Sequence, residues 1–563
     1  MKTYEVIARA FRAEGTQHTF GIMGDATLQW YSAMVDGGVT MIDTRQEIGA
    51  VAMAEGYAQV RGDVGVASVT SGPGLVQAGL ALANAARAGA STVVFAGDSP
   101  TTALEGPQLL DQRRFVEACG AVFVPLRSPA TAVDDVRRVF AVARARRTAV
   151  VLNAPIDLQT AESPVDPDAI TVAPPVPQPV PAPSPAALEQ LVRLVEQARR
   201  PIVLAGRGAM LACASRALVA LAERIGAVTA TTLLAKGSLD ADPFCVGVVG
   251  PLASAPADEC FAEADLVLAF GASLDRFTVM GRQGVSTFPG ATLVDINVGS
   301  AGAMNTGVPN AAVQHRVVGD AGITADALLA RLDEHGFDND GLRTEDIRAR
   351  LFGAPRPPTD GAPGMLHPAR VMELLETHLS RDRHRVVVGS GHFWSWPIMY
   401  LRQPVGGRFL FAHYFGSIGL ALPVGIGAAI ADPASRVVVI EGDGSLMETV
   451  QELDTASRNR IALTVVVMND QQLGAERFKG ELLHLDPALM HIPTPRLDDV
   501  ARAFGGNGAV AYDDAGARAA FADAASADGP FVVDARIDPT IVCDMYRKLH
   551  FGLENVAPHQ RFA

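Results

Sequence analysis

The chain has 563 residues, 48% of them hydrophobic and 19% charged, and a formal net charge of −14. That length is enough for several domains with sizeable cores, and the acidic balance argues against nucleic acid or an anionic membrane as partner. No apolar run reaches bilayer-spanning length, and the charged N-terminal stretch MKTYEVIARAFRAEG lacks a signal-peptide core. Five cysteines (Cys119, Cys213, Cys245, Cys260 and Cys543) are scattered without a CxxC pair, which reads as reduced thiols in a cytoplasmic protein.

Two proline-rich stretches, residues 163–186 and 353–368, divide the chain. Proline at that density cannot continue helix or sheet and makes stiff, extended connectors. The expected domains are 1–165, 186–345 and 366–550. Each alternates apolar runs with helix-like stretches, the pattern of doubly wound α/β domains with mainly parallel sheets.

In the first segment, residues 4–13 read as a helix and 18–22 as a short strand, followed by the turn Met23-Gly24-Asp25. A strand over 39–42 leads through Asp43-Thr44-Arg45-Gln46 to Glu47, and then to the alanine-rich, helix-favouring run IGAVAMAEGYAQVRG. Locally, Glu47 is an acid placed in a first turn by the helix dipole. A strand over 64–70 ends at the turn Ser71-Gly72-Pro73-Gly74, and Gly106-Pro107-Gln108 lies in a later polar loop.

In the central segment, residues 201–208 and 264–271 are buried-strand patterns ending in glycine. The Gly206-Arg207-Gly208 turn is too short a signal to define a dinucleotide site. In the third segment a strand over 386–388 ends at Gly389-Ser390-Gly391-His392, where His392 taken alone reads as a core histidine. Gly416-Ser417-Ile418-Gly419 then opens a glycine- and alanine-rich helix, and a helix N-terminus with free N–H groups is a diphosphate site.

The most specific stretch is VVVIEGDGSLMETVQELDTASRNRIALTVVVMNDQQLG, residues 437–474. An apolar run over 437–440 stops at Gly442-Asp443-Gly444-Ser445. A helix with Leu446, Val450, Leu453 and Ala456 on one face follows, and a second apolar run over 463–468 stops at Asn469-Asp470. This is a βαβ unit with polar residues at the ends of both parallel strands, where ligands of such sheets bind. Two oxygen ligands beside a phosphate cradle suit Mg²⁺.

With that unit the chain resembles the thiamine-diphosphate enzymes of the acetolactate synthase, pyruvate decarboxylase and benzoylformate decarboxylase group. The resemblance extends over essentially the whole chain, in the order pyrimidine-binding, central and diphosphate-binding domain. It implies that Asp443, Asp470 and the carbonyl of Gln472 hold Mg²⁺, with Asp470 standing where the family usually has Asn. It makes Gly442, Gly444, Ser445, Gly391, His392, Gly416 and Ser417 diphosphate contacts, and Ile418 the apolar wedge that bends the cofactor. Glu47, followed by the Gly56-Tyr57-Ala58 helix ending, becomes the carboxylate that activates the aminopyrimidine, with Pro73 against the same ring. Asp25 and Glu476 match acids of the decarboxylase members, and Gln108 resembles a glutamine of the acetolactate-synthase members.

The central domain binds FAD in some members. Here Ala-Ser-Leu-Asp-Arg follows Gly271 in place of an Arg-Phe-Asp-Asp-Arg type of stretch, so FAD is possible but not favoured. The implied activity is decarboxylation of a 2-oxo acid and addition of the product to a carbonyl acceptor. Simple decarboxylation and a catalytically silent paralogue are the alternatives. The implied assembly is a homodimer or homotetramer with active sites at subunit interfaces.

Overall fold

The computed structural model describes residues 1–171, 180–279, 286–299, 313–352, 359–380, 383–401 and 409–551. Residues 172–179 of the first proline-rich stretch and 353–358 of the second lie outside them. The ends of those stretches are less extended than expected. Pro185 and Pro368 open the helices Pro185–Gln197 and Pro368–Glu376, because the missing N–H of proline costs nothing in a first helical turn.

Three six-stranded sheets carry the fold, and their strand pairs run parallel. In the first, the spatial order is Thr40–Asp43, His18–Gly21, Gly65–Val69, Thr92–Asp98, Ala149–Pro155, Val122–Pro125. The third repeats that order with Phe409–Phe411, His384–Val388, Arg436–Gly442, Leu463–Asn469, Pro530–Arg536 and Asn507–Ala511. The middle sheet follows a different order, 3-2-1-4-5-6 counted along its own strands from Pro201–Ala205 to Val313–Val318, the order of dinucleotide-binding doubly wound sheets. The central strands are nearly continuous runs of buried Val, Leu, Ile and Ala, as expected where helices cover both faces of a sheet.

The expected helix through Leu446 and Ala456 is broken into Asp443–Thr449 and Glu452–Arg458. Its apolar face survives, since Leu446, Leu453 and Ala456 are buried. At the break Glu452 turns inward, and its carboxylate accepts the backbone N–H groups of Arg45 and Gln46, each at 3.1 Å. Ser71-Gly72-Pro73 is likewise more than a turn, because Pro73 starts a short helix, Pro73–Gln77.

The first and third sheets are joined by helices Glu47–Arg61 and Ala421–Ala431, which share one buried cluster. The two backbones approach closely through glycines. A Cβ on Gly56 would stand 2.1 Å from the Val424 carbonyl oxygen, and one on Gly427 would stand 1.9 Å from that of Met53. Among the described residues no helix is long and apolar enough to cross a membrane.

Gly427→Ala tests this crossing. In an ordinary helix interior the change stabilises by about 0.5–1 kcal/mol. Here the extra methyl meets backbone that cannot yield without parting the helices, so a net loss of roughly 1–3 kcal/mol is expected from overpacking, read as a lower denaturant midpoint at unchanged slope. A gain in stability would refute the tight crossing.

Candidate active site

In a sheet of this order the topological switch point falls between the first and third strands, and ligands bind outside the carboxyl ends there. In the third sheet those strands are His384–Val388 and Arg436–Gly442, which pair directly. The first runs into Gly389-Ser390-Gly391 and the turn His392–Trp394. The second runs into Asp443, the first residue of a helix capped by Gly442. The neighbouring strand Leu463–Asn469 lies in register with it, Gly442 opposite Met468, so Asp443 and Asp470 emerge side by side.

Both carboxyl groups are buried, and both are pushed well above the usual aspartate range. Burial is the main cause, and for Asp443 the charge of Asp470 is the next. The nearest candidate counter-charge is His392, whose Nε2 lies 3.5 Å from Asp470 Oδ2. Burial lowers the His392 pKa to about 4, so at neutral pH the ring is uncharged, and the attractive charge on Asp470 comes from Arg477, as a weaker influence than burial. The remaining contacts are neutral. Thr494 Oγ1 donates to Asp443 at 3.4 Å, and Gln472 Nε2 donates to Asp470 at 3.1 Å.

The loop that carries Asp470 is strained and tightly packed. Gln471 has φ 57°, a left-handed conformation that costs a non-glycine residue energy and recurs at functional sites. A Cβ on Gly474 would stand 2.3 Å from His392 Nδ1 and 2.6 Å from Asp470 Oδ2. Only glycine lets helix Gly474–Leu482 start this close to the carboxylate.

A cavity of about 930 Å³ opens over these residues. Its wall includes Gly391, His392, Gly416, Ile418 and the turn Gly442-Asp443-Gly444-Ser445. Asp470, Gln472 and Glu476 continue it, and Leu233, Leu234 and Leu252 of the middle unit close one side. Two polar atoms are buried without a hydrogen-bond partner among the described residues, His413 Nδ1 in the cavity wall and Ser417 Oγ between the lining residues Gly416 and Ile418. Buried orphans of this kind are rare in a finished structure and mark a place where a polar ligand belongs.

One expectation needs correcting. The N-terminus of helix Ala421–Ala431 is not an open donor site. Buried Glu441 accepts the Leu422 N–H at 3.1 Å, and Ser445 Oγ, itself bonded to Glu441, accepts the Gly419 N–H at 2.8 Å. Burial raises the Glu441 pKa to about 7. The Gly419 and Leu422 N–H groups at this helix start are thus taken by side chains of the adjacent strand and the turn after it.

The first sheet gathers its candidates at its own carboxyl edge, apart from this cavity. Asp25 follows His18–Gly21, Glu47 follows Thr40–Asp43, Pro73 follows Gly65–Val69, and Gln108 follows Thr92–Asp98, on four strands adjacent in the sheet. Glu47 is the first residue of its helix and half-buried. Its pKa is raised by burial, and a Cβ on Gly74 would lie 3.3 Å from its Oε1. Gln108 Oε1 accepts a 2.7 Å bond from Ser71 Oγ. None of these four lines the cavity, whose wall comes from residues 232–278 and 390–549 of the same chain.

Glu441, Glu452 and His413 were not anticipated from the sequence. Glu441 sits one residue before the Gly-Asp-Gly turn in an otherwise apolar strand, which was the available signal for it.

With this arrangement in view, three family models cover most of the chain: the thiamine pyrophosphate enzyme N-terminal binding domain over residues 1–115, the central domain over 188–328 and the C-terminal binding domain over 388–535. The chain belongs to the thiamine pyrophosphate enzyme family, in its group of 2-oxo acid carboligases and decarboxylases. It is similar to the large subunit of acetolactate synthase isozyme 2 from Escherichia coli K12, 28% identical over 94% of this chain and 95% of that one. A probable 2-ketoarginine decarboxylase from Pseudomonas aeruginosa is 30% identical over 89% and 88%. Sulfoacetaldehyde acetyltransferase from Alcaligenes xylosoxydans is 29% identical over 91% and 88%. The solved structure of the thiamine diphosphate-dependent 4-hydroxybenzoylformate decarboxylase of Rhodococcus jostii RHA1 shares the fold, with a TM-score of 0.81 at 21% identity over 96% of this chain and 99% of that one.

The carboxylate pair gives a stability signature in the ligand-free protein. Unfolded aspartate titrates near ~3.9. With both native values raised, the folded state retains protons that the unfolded state has lost, so stability falls as pH rises from about 4 through the raised values. Asp470→Asn removes one charge and its repulsion on Asp443. Its thermal midpoint should exceed the parent's at pH 8, and the gain should shrink toward pH 4. A lower midpoint at pH 8 would contradict the mutual repulsion of the pair.

Proposed function

We propose that this chain uses thiamine diphosphate and Mg²⁺ to decarboxylate a 2-oxo acid and to join the retained acyl unit to a second carbonyl compound. The observation that carries this reading is the buried, mutually repelling Asp443–Asp470 pair in the wall of a cavity that also exposes Glu476. Among the described residues no three His, Cys, Asp or Glu side chains gather as a metal cage. Two carboxylates, the Gln472 carbonyl and phosphate oxygens match the habit of Mg²⁺, which takes few protein ligands and completes its shell with phosphates and water. A bound cation would also relieve the repulsion between the two aspartates. The unpartnered Ser417 Oγ and the glycine turns fit a diphosphate.

When bound, thiamine diphosphate supplies an acidic thiazolium carbon that adds to a ketone and a ring that accepts the electrons released with CO₂. The chain's part is to hold, orient and move protons. In this proposal Glu47 hydrogen-bonds the aminopyrimidine nitrogen, and its raised pKa helps it keep a shared proton there. Ile418 would give the cofactor an apolar support, and the leucines of the middle unit would exclude water from the cavity. A cavity of about 930 Å³ falls within the usual range of roughly 300–1,000 Å³ for ligand sites.

Glu476 in the wall favours a second reading, because an acid there can protonate the retained carbon and release an aldehyde. Product analysis with a panel of 2-oxo acids, with and without an aldehyde acceptor, decides between them. A 2-hydroxy ketone or acetohydroxy acid is expected, and free aldehyde in the presence of acceptor would establish the second reading instead.

We further propose that the site is completed between two subunits. Glu47, Asp25, Pro73 and Gln108 line no part of the cavity of their own chain, and a two-fold pairing would bring one subunit's first sheet over the partner's third. Glu47→Gln and Asp443→Ala subunits, each inactive alone, should regain activity on co-assembly, since one site in each mixed dimer is intact. Full activity of a monomer in sedimentation at assay concentration would rule the pairing out.

A further inference from the structure

The cavity wall carries five side chains that are formally charged at neutral pH. Four are acids: Asp275, Asp443, Asp470 and Glu476. The fifth, Lys479, is the one cation among the described lining residues. Asp275 is occupied within its own turn, accepting from Ser273 Oγ and from Thr278. Lys479 is held by nothing comparable. Its Nζ lies 3.6 Å from Glu476 Oε1, with both side chains about half exposed, and a loose pair of that kind is easily exchanged for another anion. Arg477 on the same helix is by contrast committed, with bonds of 3.1 Å to Glu481 and 3.0 Å to Gln472.

The placement of Lys479 along helix Gly474–Leu482 sets what it can reach. Helical residues three apart share a face, and each residue rises about 1.5 Å. Lys479 therefore stands on the Glu476 side of the helix, about 4.5 Å further from the Asp470 loop. Decarboxylation breaks the C1–C2 bond, leaves the electron pair on C2 and releases CO₂. A cation on the departing carboxylate would stabilise the ground state more than the transition state and slow that step. A cation one helical turn further out is suited to an anionic group that does not react.

Building on the reading of the preceding subsection, we infer that Lys479 is a specificity residue that binds a second carboxylate, carried two or three carbons from the reacting carbonyl of a substrate. The preferred substrate class is thus a 2-oxo dicarboxylic acid as donor, or an aldehyde bearing a distal carboxylate as acceptor.

Matched probes test this with the holoenzyme. The donor arm compares CO₂ release from 2-oxoglutarate and from 2-oxopentanoate, which has the same length but ends in a methyl group. The acceptor arm compares ligation of pyruvate to succinic semialdehyde and to butanal. The parent enzyme should prefer the carboxylate-bearing member in at least one arm. Lys479→Gln should reduce that kcat/KM ratio by roughly 10–100-fold, mainly through KM, the range expected for one charge-assisted hydrogen bond, and Lys479→Arg should restore most of it. The preference should also weaken with added salt. Turnover of 2-oxopentanoate and butanal without preference in either arm overturns the inference and leaves the proposed function standing. A preference that survives in Lys479→Gln overturns it equally. Failure of the cofactor-loaded enzyme to release CO₂ from any 2-oxo acid overturns both.

Discussion

Two buried carboxylates that repel each other, offset only weakly by Arg477, are the constraint around which the third unit is built. Such a pair costs folding energy unless a cation or a proton offsets it, yet the surrounding residues hold it in place. The in-register strands Arg436–Gly442 and Leu463–Asn469 deliver Asp443 and Asp470 to the same edge. The left-handed Gln471 turns the chain back after Asp470, and Gly474 leaves just enough room for His392 and the Asp470 carboxylate. Burial keeps His392 neutral, so the histidine fills space and offers a hydrogen bond without cancelling the charge. An arginine at position 392 would place a fixed positive charge beside the pair and offset it.

A second set of buried acids does structural work and shows how the units are tied. Glu441 caps the start of helix Ala421–Ala431, and that helix crosses Glu47–Arg61 at glycine contacts. Glu452 accepts the N–H groups of Arg45 and Gln46, which are the residues just before Glu47. The two acids flank the Gly-Asp-Gly turn in sequence. One end of the cavity loop and the entry to the Glu47 helix are therefore braced by the same short segment.

Much of this was legible in the sequence where polar residues interrupt an apolar pattern. The runs ending at Gly442-Asp443 and Asn469-Asp470 gave both strands, their adjacency and the shared edge, because in a parallel α/β unit the chain must return through a helix to the same side. Glu47 was placed correctly as the first residue of a helix. Glu441 is hidden in the sequence because it directly follows the apolar run 437–440, where a carboxyl group reads as the strand end. Glu452 escaped because a helix-period pattern continues through it, and only the tertiary contact with Arg45 and Gln46 breaks the helix there. The open N-terminus expected before Ala421 failed for the same reason, since its acceptor comes from a strand distant in sequence. The separation of Glu47 from the cavity also left no trace in the local pattern, being a property of how whole sheets are arranged.

The middle unit shows how a wall can be supplied without chemistry of its own. Its sheet has the strand order of dinucleotide-binding folds, and the segments after its strands, including Leu233, Leu234, Leu252 and Thr278, face the third unit's cavity. Those contributions are mainly apolar. Placed opposite the aspartates, they lower the local dielectric and so strengthen every charge interaction in the cavity, whether repulsion between carboxylates or attraction to a cation. Charge placement on one helix and an apolar surface on another domain thus act on the same bound molecule, although neither segment alone carries a recognisable site.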